Sequence, residues 1–227
     1  MRQIILLFLV FALCACAFKE PVTLSLKPEI FKAYQGEALF ELKTPLGQKK
    51  GSFYFLLNAQ AVYLEGLSPF GGVIFQGLLQ GRGMTLVFFP RQEIYSLFLV
   101  PSPPFLEGHW GELLLGAIPS TWQIQRAFRL KDGAFEVWFS FEKAFEAQAL
   151  LGPDYRLQRL VLAHQDKKVV FFYHRVGGTP LYTRIHLPHV RSSLELKFLE
   201  LIPVSHLKLP VLNGPPSFKT RVYPLKW

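Results

Sequence analysis

The sequence predicts a mainly β protein, with a single antiparallel sheet of about 11–12 strands and one or two helices. Three observations predict it. Short runs rich in aromatic and β-branched residues follow one another closely, joined by connections that hold Gly, Pro, Asn or Gln, as hairpins require. Several runs alternate apolar and polar residues with the period of two that a half-buried strand needs. Hydrophobic residues make up 50% of the 227, with 22 Phe among them, enough for one sizeable core.

The chain begins with a different kind of segment. Arg2 precedes an apolar run over 4–12 and then the cluster Leu13-Cys14-Ala15-Cys16. Charged, apolar and small-residue regions in that order mark a secretory leader. The run is shorter than the roughly 20 residues that span a bilayer core, and Lys19, Glu20 and Pro21 close it. Residues 1–15 are therefore read as leader and 16–33 as a tether and entry segment with room for a helical turn around 29–34.

Strand-like runs then occupy 38–43, 51–57, 61–67, 73–80, 84–90 and 93–99. They lie too close together for parallel crossovers, so neighbours are expected to pair antiparallel. Pro101, Pro103 and Pro104 interrupt the rhythm. Over 105–115, Leu106, Trp110, Leu113 and Leu114 recur at spacings of three and four, which predicts a short amphipathic helix ending near Gly116 and Pro119. Strands resume at 122–130 and 134–141, where Phe135, Val137, Phe139 and Phe141 share one face. They continue at 146–151, 156–164, 168–174, 182–187 and 193–201, the last with Leu194, Leu196 and Phe198 on one face. The domain is expected over 34–205, followed by a C-terminal extension, 206–227.

Some strands, such as GSFYFLL and KVVFFY, are apolar on both faces. A sheet with one solvated face should alternate cleanly. These strands are either covered on both sides or line an apolar cavity, with Phe139 and Phe198 as candidate lining residues.

The excess of 25 Lys+Arg over 16 Asp+Glu gives a formal charge of +9. The charges are scattered rather than clustered, so nucleic acid is not expected as a partner. Anionic lipid headgroups or simple solvation account for them. Both cysteines lie in the leader region, so no disulfide is expected. His186 and His189 lack a third ligand at zinc spacing, and His164 and His174 are read as a surface pair across a hairpin. No Gly-x-Ser-x-Gly elbow or phosphate cradle occurs. No catalytic residue, metal or cofactor is expected, and the chain is not read as an enzyme.

The leader's end resembles the lipobox of bacterial lipoproteins, with Leu13 in the aliphatic position, Ala15 in the small one and Cys16 as the acylated first residue. The plainer reading is an ordinary secretion signal with incidental cysteines. The stretch AVYLEGLSPFGGVIFQGLLQGRGMTLVFFPRQEIYSL resembles the outer-membrane lipoprotein receptor family of the lipoprotein sorting pathway (LolB), in which a strand enters and leaves a turn of the form Asn/Ser-Pro-Leu-Gly. Here that turn is Ser68-Pro69-Phe70-Gly71. The segments GELLLGAIP, YRLQRLVLAHQDKKVVFFY and TPLYTRIHLPHVRSSLELKFLEL follow in the family's order. The family carries Leu at the turn's tip where this chain has Phe70, and 206–227 has no counterpart in it.

The resemblance implies an incomplete (half) barrel with helices and an apolar cavity on its concave side. It implies a membrane-insertion turn of Leu67, Pro69, Phe70 and Gly71. It also implies a lipoprotein anchored by Cys16 to the periplasmic face of the outer membrane. The partners implied are membrane lipid, a periplasmic lipoprotein carrier and acylated client lipoproteins, whose acyl chains the protein would bind and help insert. The alternative is a structural or assembly lipoprotein of the envelope, with no ligand cavity.

Overall fold

Close strand spacing and period-two patterning produce one continuous curved sheet in the computed structural model, which describes residues 19–26, 31–100, 106–141, 145–176, 179–205, 207–212 and 214–226. The leader and Cys16 lie outside the described residues. The first half of the chain forms β1 (Glu20–Pro21), β2 (Ala33–Thr44), β3 (Gly47–Leu57), β4 (Ala61–Leu67), β5 (Val73–Gln80), β6 (Gly83–Phe88) and β7 (Glu93–Val100). The helix α1 (Trp110–Leu114) follows. The second half forms β8 (Ile124–Arg129), β9 (Phe135–Ser140), β10 (Phe145–Leu151), β11 (Leu157–His164), β12 (Lys167–Val176), β13 (Thr179–Leu187), β14 (Ser192–Phe198), β15 (Ile202–Val204) and β16 (Lys219–Lys226).

The order β1-β8-β9-β10-β11-β12-β13-β14-β2-β3-β4-β5-β6-β7-β16 leaves the sheet unclosed, and β15 pairs beside β2. Two meanders, β2 to β7 and β8 to β14, are thus joined where β14 lies antiparallel to β2, with Glu195 opposite Glu41. All neighbours are antiparallel except β16, which runs parallel to β7. The architecture is the half-barrel expected from the sequence.

The sheet holds 16 strands rather than 11–12. Thirteen of them fall on the runs marked in the sequence, and the other three on segments without strand-length alternation: β1 from the expected tether, β15 after the last alternating run, and β16 from the C-terminal extension. Each is recruited by the open backbone groups of an existing edge or end. The segment before β16 first crosses the outer face, where a Cβ on Gly214 would lie 2.5 Å from Ile94 Cδ1, and this covers Val87.

Two local expectations need correction. The helical turn around 29–34 gives way to strand at Ala33 and Tyr34, where pairing of Tyr34 with Leu57 and Pro203 and of Ala33 with Val204 outweighs local preference; residues 29 and 30 lie outside the described set. The helix expected over 105–115 is confined to Trp110–Leu114. Gly108 (φ +75) and Gly116 (φ +69) take left-handed backbone on either side of it.

Side chains on the concave face form two core clusters. One centres on Val137, Phe139, Leu151, Leu160 and Leu162 of β9 to β11. The other centres on Ala38, Phe53, Phe55, Leu57 and Phe198 of β2, β3 and β14. Trp110 packs against both. No helix among the described residues is long and apolar enough to cross a membrane.

Candidate functional site

The turn singled out in the sequence caps the β4–β5 hairpin on one rim of the half-barrel. At its base Gly66 accommodates the Phe75 ring, since a Cβ there would lie 2.1 Å from Phe75 Cε1. The register shifts between Gly66 and Leu67, so that Gly66 faces Phe75 but Leu67 faces Val73. On the opposite face of the hairpin the Tyr63 hydroxyl donates to the Glu65 carboxylate at 2.6 Å, and Gln76 donates to the same oxygen at 2.9 Å. Burial and then Glu65 push the Tyr63 phenol well above its ordinary value.

Beyond Leu67 the chain closes on itself. The Ser68 N–H donates to the Gly72 carbonyl at 2.7 Å, and the Gly71 N–H donates to the Ser68 carbonyl at 2.9 Å. The Gly72 N–H also donates to Ser68 Oγ at 3.0 Å. Pro69 presets its own φ near about −65°, and Gly71 supplies the positive φ of +82. A turn held this way has little freedom to fold its tip inward. Phe70 is accordingly 98% exposed, with Leu67 at 47% beside it. A lone exposed aliphatic needs no explanation, but a fully exposed phenylalanine on a hydrogen-bonded tip is an apolar probe held out from the protein.

The concave side is occupied by α1 and the residues after it. Leu113 packs into the first core cluster, and Leu114 and Leu115 into the second. The carbonyls of this segment are captured by side chains of the sheet. The Tyr173 hydroxyl donates to Leu113 O at 2.6 Å, Thr183 Oγ1 to Leu114 O at 2.9 Å, and Arg175 Nη2 to Leu115 O and Gly116 O at 2.6 Å each. Burial drives the Tyr173 phenol well above its usual value, so it stays a neutral donor. Trp110 Nε1 donates to Gly81 O at 3.1 Å, tying the helix to the β5–β6 turn.

Phe139 and Phe198, the candidate lining residues, stand in separate clusters. Phe139 is 1% exposed and meets Trp122 edge-on; Phe198 is 5% exposed and meets Phe55 edge-on. A cleft of about 660 Å³ opens at the rim opposite Phe70, lined by Phe31, Ala33, Asn58, Gln60, Pro203 and Val204. Two smaller clefts, about 480 and 490 Å³, share Tyr182 and Lys197 on the outer face.

The histidines are dispersed. His164 stacks on Phe145 with centroids 4.0 Å apart. His174 lies opposite Tyr182 rather than His164, because the β11–β12 hairpin turns tightly at His164 and Lys167. His186 faces Ser193 across β14, and His189 sits in a 3-10 turn.

The sequence reading overlooked a second turn of similar form. Thr44-Pro45-Leu46-Gly47 caps the β2–β3 hairpin, with Leu46 99% exposed and Gly47 at φ +135. Its Ser/Thr-Pro-apolar-Gly pattern, repeating that of 68–71, was the available signal. The trio Tyr173, Arg175 and Thr183 had none, because only the folded sheet brings it to the helix.

No family model matches the chain, and no curated protein matches it. Among solved structures, the chain is similar to a DUF1329 family protein from Desulfovibrio piger, at 10% identity and a TM-score of 0.52, over 79% of this chain and 89% of that one. It is also similar to a LolA superfamily protein from Nitrosomonas europaea, at 7% identity and a TM-score of 0.51, over 78% and 88%. At these identities the likeness is one of fold: the chain shares the curved, unclosed sheet of these two structures.

Proposed function

We propose that the protein is a lipoprotein anchored through Cys16 to the periplasmic face of the outer membrane, where it binds acyl chains and helps transfer acylated clients into the bilayer. The observation that carries this reading is Phe70, a 98% exposed phenylalanine on a turn whose hydrogen bonds keep it outward. Full burial of such a side chain is worth about 1.5–3 kcal/mol, enough to touch a bilayer reversibly and too little to anchor there. The LolA-type fold supports the reading, since one solved neighbour belongs to that superfamily. Binding rather than catalysis is the proposed activity.

The test is lipid transfer between vesicles. Donor vesicles carry a self-quenched fluorescent acyl lipid, and the protein is added in catalytic amounts. Transfer well above the spontaneous rate is expected. A rate equal to the spontaneous one, with the protein bound to the vesicles, would remove the transfer reading.

One observation favours a second reading, a structural lipoprotein without a ligand cavity. Leu113 and Phe139 are buried in one core cluster and Leu114, Leu115 and Phe198 in the other, so the protein's own side chains occupy the concave side. Saturable binding of a fluorescent fatty acid separates the two, because a filled interior offers it no site.

A further inference from the structure

The Phe70 turn does not stand alone on its rim. Antiparallel pairing brings four prolyl turns to that rim in succession along the sheet. They are 188–191 between β13 and β14, 44–47 between β2 and β3, 68–72 between β4 and β5, and 89–91 between β6 and β7. The first two are immediate neighbours, because Ser193 lies opposite Lys43 and Lys43 opposite Gln48. Each of the first three presents an apolar side chain to solvent: Val190, Leu46 and Phe70.

Cations flank these tips. Lys43, Lys49, Lys50, Arg91 and Arg191 are exposed in or beside the turns. Glu41 takes Lys43 at 2.7 Å and Lys50 at 3.0 Å, and Lys43 also approaches Glu195 at 3.8 Å. Lys49 and Arg191 stand in no ion pair among the described residues. Further along the rim Asp166 sits beside Lys167 in the β11–β12 turn. Glu93 opens β7 at the end of the 89–91 turn but is buried, and Glu65 and Glu195 lie farther down the strands. Glu65 is held by Tyr63 and Gln76, Glu93 by Tyr95 and Arg221, and Glu195 by Arg184. The opposite rim differs. Its described turns at 58–60, 81–82, 130–133 and 152–156 carry Asn58, Gln60, Arg82, Lys131, Asp132, Asp154 and Arg156, tips of mixed sign, and its exposed apolar side chains, Tyr155, Val176 and Leu199, stand among both signs of charge rather than among cations.

We propose that the rim bearing Val190, Leu46 and Phe70 is a docking surface for an anionic lipid bilayer. The proposal rests on the reading of Phe70 as a membrane contact and extends it from one side chain to an oriented surface. Apolar tips enter the headgroup boundary while the cations beside them meet lipid phosphates, the pairing of forces that peripheral membrane binding uses. Docked this way, the opposite rim and its cleft of about 660 Å³ face away from the membrane.

The experiment uses the full chain with Cys14→Ser and Cys16→Ser, so that a single introduced cysteine carries an environment-sensitive fluorophore. Leu46→Cys and Phe70→Cys report the proposed rim, and Gln60→Cys reports the opposite one. Contact is read locally, as quenching by a lipid-borne quencher, so a retained leader that tethers the chain does not imitate the result. On phosphatidylglycerol vesicles, reporters at 46 and 70 should be quenched and the reporter at 60 should not. Neutralising Lys43, Lys49 and Arg191 together to Gln should lower the docked-to-undocked ratio at 46 roughly a hundredfold. A reporter at 46 that stays in water, or is quenched equally on phosphatidylcholine, overturns the proposal. Quenching at 70 without 46 leaves the Phe70 reading standing and sinks this one. Quenching at neither removes both, and quenching at 46 without 70 also overturns the proposal, because it rests on Phe70 as a membrane contact.

Discussion

Phe70→Ala separates a side chain that packs from one that reaches out. Phe70 is 98% exposed, and the hydrogen bonds that shape its turn are made by Ser68, Gly71 and Gly72, none of which the substitution touches. Stability should therefore change by no more than about 0.5 kcal/mol. Phe139→Ala is the internal standard. Phe139 is 1% exposed and packs edge-on against Trp122, so its truncation should cost about 3–5 kcal/mol. The two losses differ several-fold in a denaturant titration, beyond its extrapolation error of roughly 10–15%. On vesicles the order reverses. Losing a phenylalanine worth about 1.5–3 kcal/mol on full burial should weaken membrane contact by about tenfold to a hundredfold. A stability loss of several kilocalories in Phe70→Ala would mean that the ring packs inward. Unchanged stability together with unchanged lipid delivery would reduce the turn to a connection. Only preserved stability with impaired delivery agrees with the proposed role.

The anchor is tested by metabolic labelling with a palmitate analogue: Cys16→Ser should abolish label and Cys14→Ser should keep it, while label retained without Cys16 removes the lipoprotein reading. Thr183→Val should destabilise the fold by about 1–3 kcal/mol in a denaturant titration, because the Leu114 carbonyl loses the hydroxyl that satisfies it in a buried setting. Gly116→Ala should be destabilising as well, since Gly116 holds φ +69 and an added Cβ would lie 2.8 Å from the Tyr173 ring; a thermal melt unchanged from wild type would contradict the helix-end geometry. Acidification should release β16. The Tyr95 hydroxyl and the Arg221 guanidinium hold the Glu93 carboxyl below its ordinary range. Their contribution is complete above the unfolded carboxylate value of about 4.3 and is lost as pH falls through the depressed folded value. Limited proteolysis of the C-terminal strand should be slow at neutral pH and fast at acid pH, and Arg221→Ala should remove that contrast.

The thirteen strand runs marked over 38–201 all became strands. Alternation and close spacing are local properties, and a short antiparallel connection leaves few other arrangements. Phe70 was singled out by the resemblance of its turn to the lipoprotein receptor family, and turn chemistry agrees with it, since proline and glycine constrain the backbone wherever they stand. Tertiary structure decided what depends on distant neighbours. Residues 206–227 lack an alternating run long enough to announce a strand, and β16 forms because β7 leaves an edge open for it. The 29–34 segment yields to strand pairing at Ala33 and Tyr34. The strands apolar on both faces admitted either a cavity or a filled core. What lies against their concave side is α1, whose end and following residues are held through their carbonyls by Tyr173, Arg175 and Thr183 from 59 to 69 residues away. The rim came from the fold as well. Leu46, Phe70 and Val190 are far apart in the chain, and Leu46 and Val190 drew no notice in the sequence. Sheet register sets them side by side with their cations, because pairing order fixes which turns share an edge and local sequence does not encode it.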